Sequence, residues 1–550
     1  MRSSRVMVIG LDGAAFRIIH PLLEQGLLPN MGAILQEGAH GTLLSVPNCN
    51  SGPAWTSMIT GVNPGKHGVF HLVTRVPGTS LLRPTHAGDR RCPPLWRWIG
   101  EAGGRVIMMN LPVTYPAERV NGVLISGSDT PGPRSNRMAH PPGVMETIRR
   151  EVGPYLIGPR IQGMALRGRV RAAWERLRKV IRCHERTILH LMKTEPWDLA
   201  WVVFTAIDAA QHYFWGHWES GDPRGEILPM VYREMDRVVG AIRAEAGPGT
   251  NFFLVSDHGA GPRRGASHLM KDLFVSCGMM RPRKGLQDLP FQLKKKVFLG
   301  LQGYLPIELQ EALARWFPAL FVQAKSGGLT QGVDLQRSLV YATDASEVHI
   351  LKDYDSTVGK PNPPGDYQTL LARLEDLFDS LQDPVCDEPI RPEIRRAREI
   401  YWGPQLKRAP DLLLGWGTER LISDMEARDG ARLHRISGPK DLNGFLISGT
   451  HRPEGILMAA GPRLCSGRSI APASVYDIAP TILHLLDIPI PSGLDGRVLD
   501  EALTIAPTHT ERQSTSQALA DTQEAASGET YTPEERELVL RRLRDMGYMD

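Results

Sequence analysis

The sequence predicts an α/β protein with a three-layer, doubly wound and mostly parallel sheet that carries helical and α+β cap insertions. Short apolar runs have the length of strands that are buried on both faces, as strands of a parallel sheet are. Helical patterns separate these runs, and alternating strands and helices are typical of doubly wound sheets. The runs occupy residues 6–11, 105–111, 122–126, 199–205, 251–256 and 455–459.

Two insertions interrupt this alternation. Residues 263–342 are basic, helical in pattern and free of strand runs, whereas residues 343–449 mix helical and strand patterns. We therefore expect one core built from residues 1–262 and 450–503, a helical insertion, and a mixed region. Either insertion could form a cap over the site, where caps on such sheets commonly decide which substrate is accepted.

The last part of the sequence predicts a linker and a helix. Residues 504–530 are rich in Ser, Thr, Ala and Gln and contain almost no large apolar side chain, which is typical of a linker or a disordered segment. A final helix over residues 531–550 is indicated by Thr532 at the N-cap, Pro533 at the first helical position and Glu535 two positions later. We expect this helix to dock on the core, and binding of a partner is the alternative.

Composition and charge exclude several classes of protein. Apolar residues make up 42% and charged residues 23%, and a formal charge of +4 on 550 residues gives no signal for nucleic-acid binding. The six cysteines include no CxxC pair, which argues against a disulfide framework or a thiolate zinc site. We find no signal peptide and no apolar run near the ~18 residues that span a bilayer. The predicted location is therefore the cytoplasm.

Charged side chains follow two of the predicted strands directly. Asp12 ends the first apolar run, and Asp257 and His258 follow the run over residues 251–256. The carboxyl ends of parallel strands are where α/β sheets bind ligands. Gly259 is expected to permit the sharp turn that would let the adjacent Asp and His reach one ion. Considered alone, Asp12 could be a helix cap and the Asp-His pair a surface turn.

A second group of candidate ligands lies farther along the chain. Asp208 and His212 follow the run ending at residue 205, and their i, i+4 spacing places both on one face of a helical turn. Carboxylate oxygen and imidazole nitrogen are suitable donors for zinc. His451 precedes the last predicted strand and could complete a set of three ligands. A surface Asp/His pair and a structural His remain the alternatives.

Ser51 is the candidate nucleophile. It precedes Gly52 and Pro53 in a segment that then becomes helical, so Ser51 or Gly52 is the expected N-cap. A serine hydroxyl in that position would lie among free backbone N–H groups, which also hold phosphates at helix N-termini. Capping alone would also explain this serine.

The order of these residues resembles a known group of enzymes. Asp12, Ser51, Asp208, His212, Asp257, His258 and His451 follow the pattern of the alkaline phosphatase superfamily and, within it, of the type I phosphodiesterase/nucleotide pyrophosphatase group. The stretches 60–68 and 475–496 are also similar to that group, and the resemblance spans about residues 5–500.

The resemblance implies two divalent metal ions, which are usually zinc in this group, and a phosphoserine intermediate. One ion would be bound by Asp208, His212 and His451, and the other by Asp12, Asp257 and His258, with Ser51 between them as nucleophile and ligand. The expected substrate is a small phosphate ester, above all a phosphodiester. We expect no membrane segment, and assembly into a homo-oligomer is left open.

The sequence departs from the nucleotide pyrophosphatases in two respects. The nucleophile is Ser51 where threonine is usual, and Ala54 replaces an asparagine that holds a phosphate oxygen. Asn110 or Lys66 is the candidate replacement donor for substrate binding. These departures leave open a phosphomonoesterase, a phosphonate hydrolase or a phosphomutase with the same ions.

Two further alternatives have less support from the sequence. A sulfatase would be expected to carry arginine at the position of Trp55 and a second aspartate beside Asp12. A catalytically silent homologue that acts as a binding module would be expected to have lost a ligand or the nucleophile, and all seven positions are filled.

Overall fold

The computed structural model describes residues 4–76, 82–281, 333–334, 337–342, 346–351, 367–417, 421–437, 447–504, 511–512 and 530–548. A ten-stranded sheet forms its centre. In chain order the strands are β1 (Arg5–Leu11), β2 (Ala39–Leu44), β3 (Val106–Leu111), β4 (Gly122–Ser126), β5 (Ala139–His140), β6 (Leu199–Phe204), β7 (Thr250–Val255), β8 (Glu454–Ala460), β9 (Arg468–Ser469) and β10 (Ala473–Ser474). All six predicted strands are present, and each end lies within one residue of its predicted position.

The strand order explains why the carboxyl ends of distant strands meet. Across the sheet the order is β9-β2-β8-β7-β1-β6-β3-β4-β5, and β10 also pairs with β2. β1 lies between β6 and β7 and is parallel to both, and β3 continues the parallel set next to β6. β8 is antiparallel to its neighbours β2 and β7. The prediction of a mostly parallel, doubly wound sheet is confirmed.

Helices cover both faces of the sheet. Successive side chains of β1 enter opposite layers, because Met7 and Ile9 join one buried cluster whereas Val6 and Val8 join the other. The first layer contains helices Phe16–Glu24, Pro29–Glu37, Val144–Glu151, Val170–Thr194, Ala206–Glu219 and Ile227–Ala246. The second layer contains helices Ser51–Thr60, Leu95–Glu101 and Ile478–Leu485. The prediction of three layers is therefore also confirmed.

The described parts of the two insertions share one further core. It contains helices Met270–Ser276 and Tyr367–Asp379 together with two four-stranded sheets. Their strands are Val340–Ala342, Glu347–Ile350, Glu393–Arg396 and Leu412–Gly415 in one sheet, and Gln382–Asp383, Glu388–Pro389, Asp424–Asp429 and Arg432–Ser437 in the other.

The expectation that residues 263–342 lack strands is wrong at their end. Val340–Ala342 pairs with Glu347–Ile350, and a strand of three residues is too short to show a period in the sequence. Residues 282–332, where most of the predicted helical insertion falls, lie outside the described residues. The predicted domain boundaries remain a prediction.

The 530–548 segment packs on the core. Its helix, Pro533–Asp545, begins with the predicted capping box: Thr532 Oγ1 accepts from the Glu535 N–H at 3.2 Å, and the Glu535 carboxylate accepts from the Thr532 N–H at 3.0 Å. Its buried apolar side chains join a cluster with Val73 and Tyr115. Of the predicted linker, only residues 504, 511–512 and 530 belong to the described part. Among described residues, no helix combines the length and apolar character needed to cross a bilayer.

Candidate metal centre

The carboxyl ends of β1, β6 and β7 deliver three aspartates to one edge of the sheet. Asp12 follows β1, and Asp257 is the second residue after β7. Asp208 lies in the first turn of helix Ala206–Glu219, which begins directly after β6. All three side chains are buried, with at most 1% of each residue exposed. Three carboxylates thus meet in the buried interior at this edge of the sheet.

An antiparallel pairing of two short strands places His451 at this edge of the sheet. Strand Gly449–Arg452 runs antiparallel to Gly259–Pro262, and His451 lies opposite Ala260. The rings of His258 and His451 stack with their centroids 3.7 Å apart. The strand pairing thus brings His451 beside a residue almost 200 positions earlier in the chain.

The expectation that Gly259 permits a sharp turn after the Asp-His pair is wrong. This glycine lies in an extended strand and forms no sharp turn. A Cβ atom there would lie 2.0 Å from the carbonyl oxygen of Glu454. Glycine is needed at this position because two backbone segments approach each other closely.

One group of donor atoms consists of Asp208, His212 and His451. Nε2 of His212 lies 3.2 Å from Oδ2 of Asp208, and Nε2 of His451 lies 3.5 Å from Oδ1 of the same carboxylate. The two imidazole Nε2 atoms are 3.2 Å apart. These three residues present atoms that lie within 4.8 Å of one another, which is close enough to bind a single ion.

A second group surrounds the candidate nucleophile. Oγ of Ser51 lies 3.1 Å from Nε2 of His258 and 3.5 Å from Oδ1 of Asp12. The same Nε2 is 3.6 Å from Oδ1 of Asp12 and 3.5 Å from Oδ2 of Asp257. Donor atoms of Asp12, Asp208 and His258 also lie within 4.8 Å of one another, so Asp208 borders both groups.

Backbone carbonyls orient all three imidazoles in the same way. Nδ1 of His212, His258 and His451 lies 3.2, 2.8 and 2.8 Å from the carbonyl oxygens of Gly449, Gly259 and Cys49 respectively. Because a carbonyl oxygen only accepts, these contacts assign the proton to Nδ1 and leave a lone pair on Nε2. Such backbone contacts are typical of histidines that bind metals.

The seven side chains at this edge, which we call the cluster, would be stabilised by added positive charge. They are Asp12, Ser51, Asp208, His212, Asp257, His258 and His451. Burial raises the pKa of Asp257 to about 7, and the Asp208 carboxylate adds to this rise. Burial, together with the charges of Asp257 and Asp208, also raises the pKa of Asp12 well above its usual value. Burial and the neighbouring His451 lower the pKa of His258 to about 3, so this imidazole is neutral near pH 7.

Two unmatched sets of lone pairs fit a bound cation. The Nε2 lone pairs of His212 and His451 face each other at 3.2 Å, which is unfavourable unless a proton or a metal ion lies close to them. Buried Oδ2 of Asp257 accepts no hydrogen bond from any residue that the structure describes. Carboxylate oxygens and imidazole nitrogens form a donor set suited to zinc.

Neighbouring side chains hold the two aspartate-bearing segments together. Gln211 donates to the carbonyl oxygen of Gly13 at 2.8 Å and accepts from the hydroxyl of Tyr232 at 3.0 Å. Tyr232 in turn accepts from the N–H of Ala15 at 3.2 Å. Gly13 has a φ of 69°, and a Cβ atom there would lie 2.9 Å from Oδ1 of Asp208. The loop after β1 is thus locked onto helix Ala206–Glu219.

The predicted N-cap of the Ser51 helix is wrong by one residue. Asn50 is the N-cap, its side-chain oxygen accepts from the N–H of Gly52 at 3.2 Å, and Ser51 is the first helical residue. Because Asn50 satisfies this donor and Pro53 has none, the helix end offers fewer N–H groups to a phosphate than expected. The hydroxyl of Ser51 is released from capping and faces Asp12 and His258.

The two candidate substrate donors are engaged elsewhere. Nδ2 of Asn110 donates to the carbonyl oxygen of Val203 at 2.7 Å, and Asn110 is buried. Nζ of Lys66 pairs with Asp495 at 2.5 Å and donates to the carbonyl oxygen of Gly493 at 2.9 Å. Both donor groups thus contact acceptors of the protein itself, and the role of either residue in substrate binding stays a prediction.

Two residues that no pattern in the sequence indicates, Gly547 and Tyr548, also touch the cluster. The hydroxyl of Tyr548 donates to Oδ2 of Asp12 at 2.5 Å. Gly547 lies against His212, and a Cβ atom there would lie 2.5 Å from Cδ2 of that imidazole. The capping box predicts the helix before them, but no pattern in the sequence indicates where that helix docks.

Comparison with known proteins gives one family and several distant structures. Residues 6–291, just over half of the chain, match the family model of the type I phosphodiesterase / nucleotide pyrophosphatase. This range contains six of the seven clustered residues, and His451 lies beyond it. No curated protein gives a significant match.

Two of the similar solved structures show how low the sequence identity to known structures is. Murine ectonucleotide pyrophosphatase / phosphodiesterase 5 is 12% identical with a TM-score of 0.47, over 92% of this chain and 98% of that one. Phosphonoacetate hydrolase from Sinorhizobium meliloti 1021, in complex with phosphonoformate, is 14% identical with a TM-score of 0.49. The match covers 88% of this chain and 96% of that one.

Proposed function

Because this chain belongs to the type I phosphodiesterase / nucleotide pyrophosphatase family, an enzyme family of the alkaline phosphatase superfamily, we propose that it is a metal-dependent phosphodiesterase. The proposed reaction proceeds through a phosphoserine intermediate on Ser51. One observation carries the proposal: seven side chains that are scattered over 440 positions meet at one edge of the sheet, five of them in two possible ion-binding groups and Ser51 and Asp257 in contact with these.

We propose two ion sites in this space. Asp208, His212 and His451 would hold one ion, and Asp12, Asp257 and His258 would hold the other, with Ser51 between them. Zinc is the proposed metal because the donors are carboxylate oxygens and imidazole nitrogens. When bound, two such ions supply positive charge to the phosphate oxygens and lower the pKa of a bound hydroxyl.

The chain supplies the nucleophile and holds it in place. Ser51 begins a helix that Asn50 caps, so Oγ has no capping role and is available for attack on phosphorus. The bond between Oγ and phosphorus forms as the ester P–O bond breaks, and one alcohol leaves. Water then cleaves the bond between Oγ and phosphorus, which releases a phosphate monoester and restores the serine hydroxyl.

The surrounding protein buries the cluster and orients its imidazoles. The three backbone carbonyls that accept from Nδ1 of His212, His258 and His451 fix these rings before substrate arrives. Burial of the carboxylates lowers the effective dielectric constant, which strengthens their interaction with cations. Preorganised charge of this kind is usually the largest contribution to catalysis of charged transition states.

The test combines metal analysis with a substrate panel. Purified full-length chain is expected to contain two divalent ions and to hydrolyse bis(p-nitrophenyl) phosphate faster than p-nitrophenyl phosphate, a phosphonate or p-nitrophenyl sulfate. A preference for the monoester or the phosphonate would instead indicate a phosphatase or phosphonate hydrolase, and a preference for the sulfate would indicate a sulfatase. Chelation should abolish turnover, and added zinc should restore it.

Variants of one helix test the nucleophile. Ser51→Ala should lower kcat by several orders of magnitude while the metal content stays at the wild-type value. Ser57→Ala is the matched control, because Ser57 lies on the same helix and its hydroxyl contacts His67 at 2.9 Å, away from the cluster. Turnover by Ser51→Ala at the rate of the control would refute the role of Ser51.

A further inference from the structure

The 530–548 segment contributes a side chain to the candidate metal centre. Tyr548 lies just beyond helix Pro533–Asp545, is 3% exposed, and donates its hydroxyl to Oδ2 of Asp12 at 2.5 Å. Asp12 is 0% exposed, so the phenol meets this carboxylate inside the protein. A buried carboxylate oxygen that accepts from a buried hydroxyl has a fixed orientation.

The two oxygens of Asp12 have different partners. Oδ1 faces the cluster, 3.5 Å from Oγ of Ser51 and 3.6 Å from Nε2 of His258. Oδ2 faces the hydroxyl of Tyr548. The phenol therefore holds the carboxylate with Oδ1 directed into the space between the nucleophile and the imidazole. This is the relation of an outer hydrogen-bond donor to a metal ligand.

The approach of Tyr548 depends on a precise fit between the segment and the centre. Gly547 has a φ of 92°, and a Cβ atom there would meet the imidazole of His212 at 2.5 Å. The hydroxyl of Tyr213 donates to the carbonyl oxygen of Asp545 at 3.3 Å, and Arg160 pairs with the Asp545 carboxylate at 3.3 Å. The segment thus touches one ligand from each of the two proposed ion groups.

We propose that Tyr548 is a positioning residue that orients Asp12 for metal binding, so that the 530–548 segment is an integral part of the centre. This inference rests on the proposed function. It predicts that loss of one phenol oxygen weakens the ion held by Asp12, Asp257 and His258 and leaves the ion held by Asp208, His212 and His451 in place.

Zn²⁺ titration of the metal-stripped full-length chain tests the proposal without any turnover measurement. Tyr548→Phe should bind one ion with wild-type affinity and the second about 10- to 100-fold more weakly. Tyr531→Phe is the matched control, because Tyr531 lies on the same segment and its hydroxyl donates to the carbonyl oxygen of Asp129 at 2.9 Å, outside the cluster. The control should bind both ions as the wild type does.

The possible outcomes separate the two proposals. Wild-type affinity of Tyr548→Phe for both ions, or equal losses in the two phenylalanine variants, would overturn the inference and leave the proposed function standing. A wild-type chain that binds neither ion would overturn both. Faster turnover of Tyr548→Phe with unchanged metal affinity would also overturn the inference, because the tyrosine would then obstruct the site.

A second variant acts on the fit of the segment and retains the phenol. Gly547→Ala should move the segment away from His212, because the added methyl group has no space. We expect it to weaken binding of the same ion as Tyr548→Phe does. The loss of ion affinity in the double variant should then not exceed the larger of the two single losses. Additive losses in the double variant would refute the view that Gly547 acts by placing Tyr548.

Discussion

Arg542→Ala should loosen the helix that carries Tyr548 towards the centre. Arg542 is 6% exposed, and its guanidinium donates to the carbonyl oxygens of Ser128 at 3.2 Å and Pro131 at 3.0 Å, and also to that of Thr130. Alanine removes these three hydrogen bonds and leaves the carbonyl oxygens to bind water or remain unpaired. The helix itself is not weakened, since alanine is a good helix former.

The magnitude follows from these contacts. A buried hydrogen bond to a charged group contributes about 1.5–3 kcal/mol, and bonds made by one side chain do not add fully. We expect the free energy of local opening to fall by about 3 kcal/mol, which corresponds to a roughly 100-fold change in the opening equilibrium. The apolar contacts of Val539, Leu540 and Leu543 should keep the helix docked in most molecules.

Amide hydrogen exchange of the full-length chain measures this opening directly. Amides of Pro533–Asp545 should exchange about 100-fold faster in Arg542→Ala, whereas those of the central sheet should be unchanged. Arg536→Ala is the matched control, because Arg536 lies on the same helix and is only half-buried. Equal exchange rates in the two variants would refute the conclusion that the three carbonyl contacts fasten this helix.

Three further predictions concern stability. Gly259→Ala should lower the free energy of unfolding by about 1–3 kcal/mol, because the added methyl group would collide with the carbonyl of Glu454. Gly249→Ala is the control, because a methyl group has open space there. Equal unfolding midpoints of the two variants would contradict this reasoning. Asn50→Ala should lower the free energy of unfolding in urea by about 1 kcal/mol, whereas Asn50→Ser keeps a neutral side-chain acceptor and should not. Equal losses in the two variants would exclude the cap. Burial, aided by nearby arginines, lowers the pKa of His67 from 6.5 to about 3. Below pH 6.5 this imidazole therefore binds a proton in the unfolded chain but stays neutral in the folded chain. The free energy of unfolding should fall by about 1.4 kcal/mol for each pH unit between about 6.5 and 3. His67→Gln should flatten the urea midpoint between pH 7 and pH 5, and parallel profiles would refute this.

The parts of the fold that depend on local patterns could be predicted from the sequence. The strands of the parallel core are continuous apolar runs, so the sequence predicts their ends to within one residue. The clustering of Asp12, Asp208 and Asp257 follows from such runs because parallel strands present their carboxyl ends at one edge. The i, i+4 spacing of Asp208 and His212 also predicts their contact, because residues four apart lie on the same face of a helix.

The parts that depend on long-range packing could not be predicted. Tyr548 lies 536 positions after Asp12, and no period or motif connects them. The sequence predicts a turn at Gly259 because it does not reveal the carbonyl of Glu454 that approaches this residue. The helix cap cannot be placed from the sequence for a local reason: asparagine and serine are about equally good N-caps, so their preference does not distinguish Asn50 from Ser51.

The position of β1 in the sheet has a consequence for how the protein is made. β1 leaves the ribosome well before its two partners, β6 and β7, which begin at residues 199 and 250. At a synthesis rate of about 5–20 residues per second, an apolar strand waits roughly 10–40 s for its first neighbour. Strands that remain unpaired for so long are prone to aggregate, so nascent chains of this protein should depend on chaperones that shield residues 5–11 until β6 has emerged.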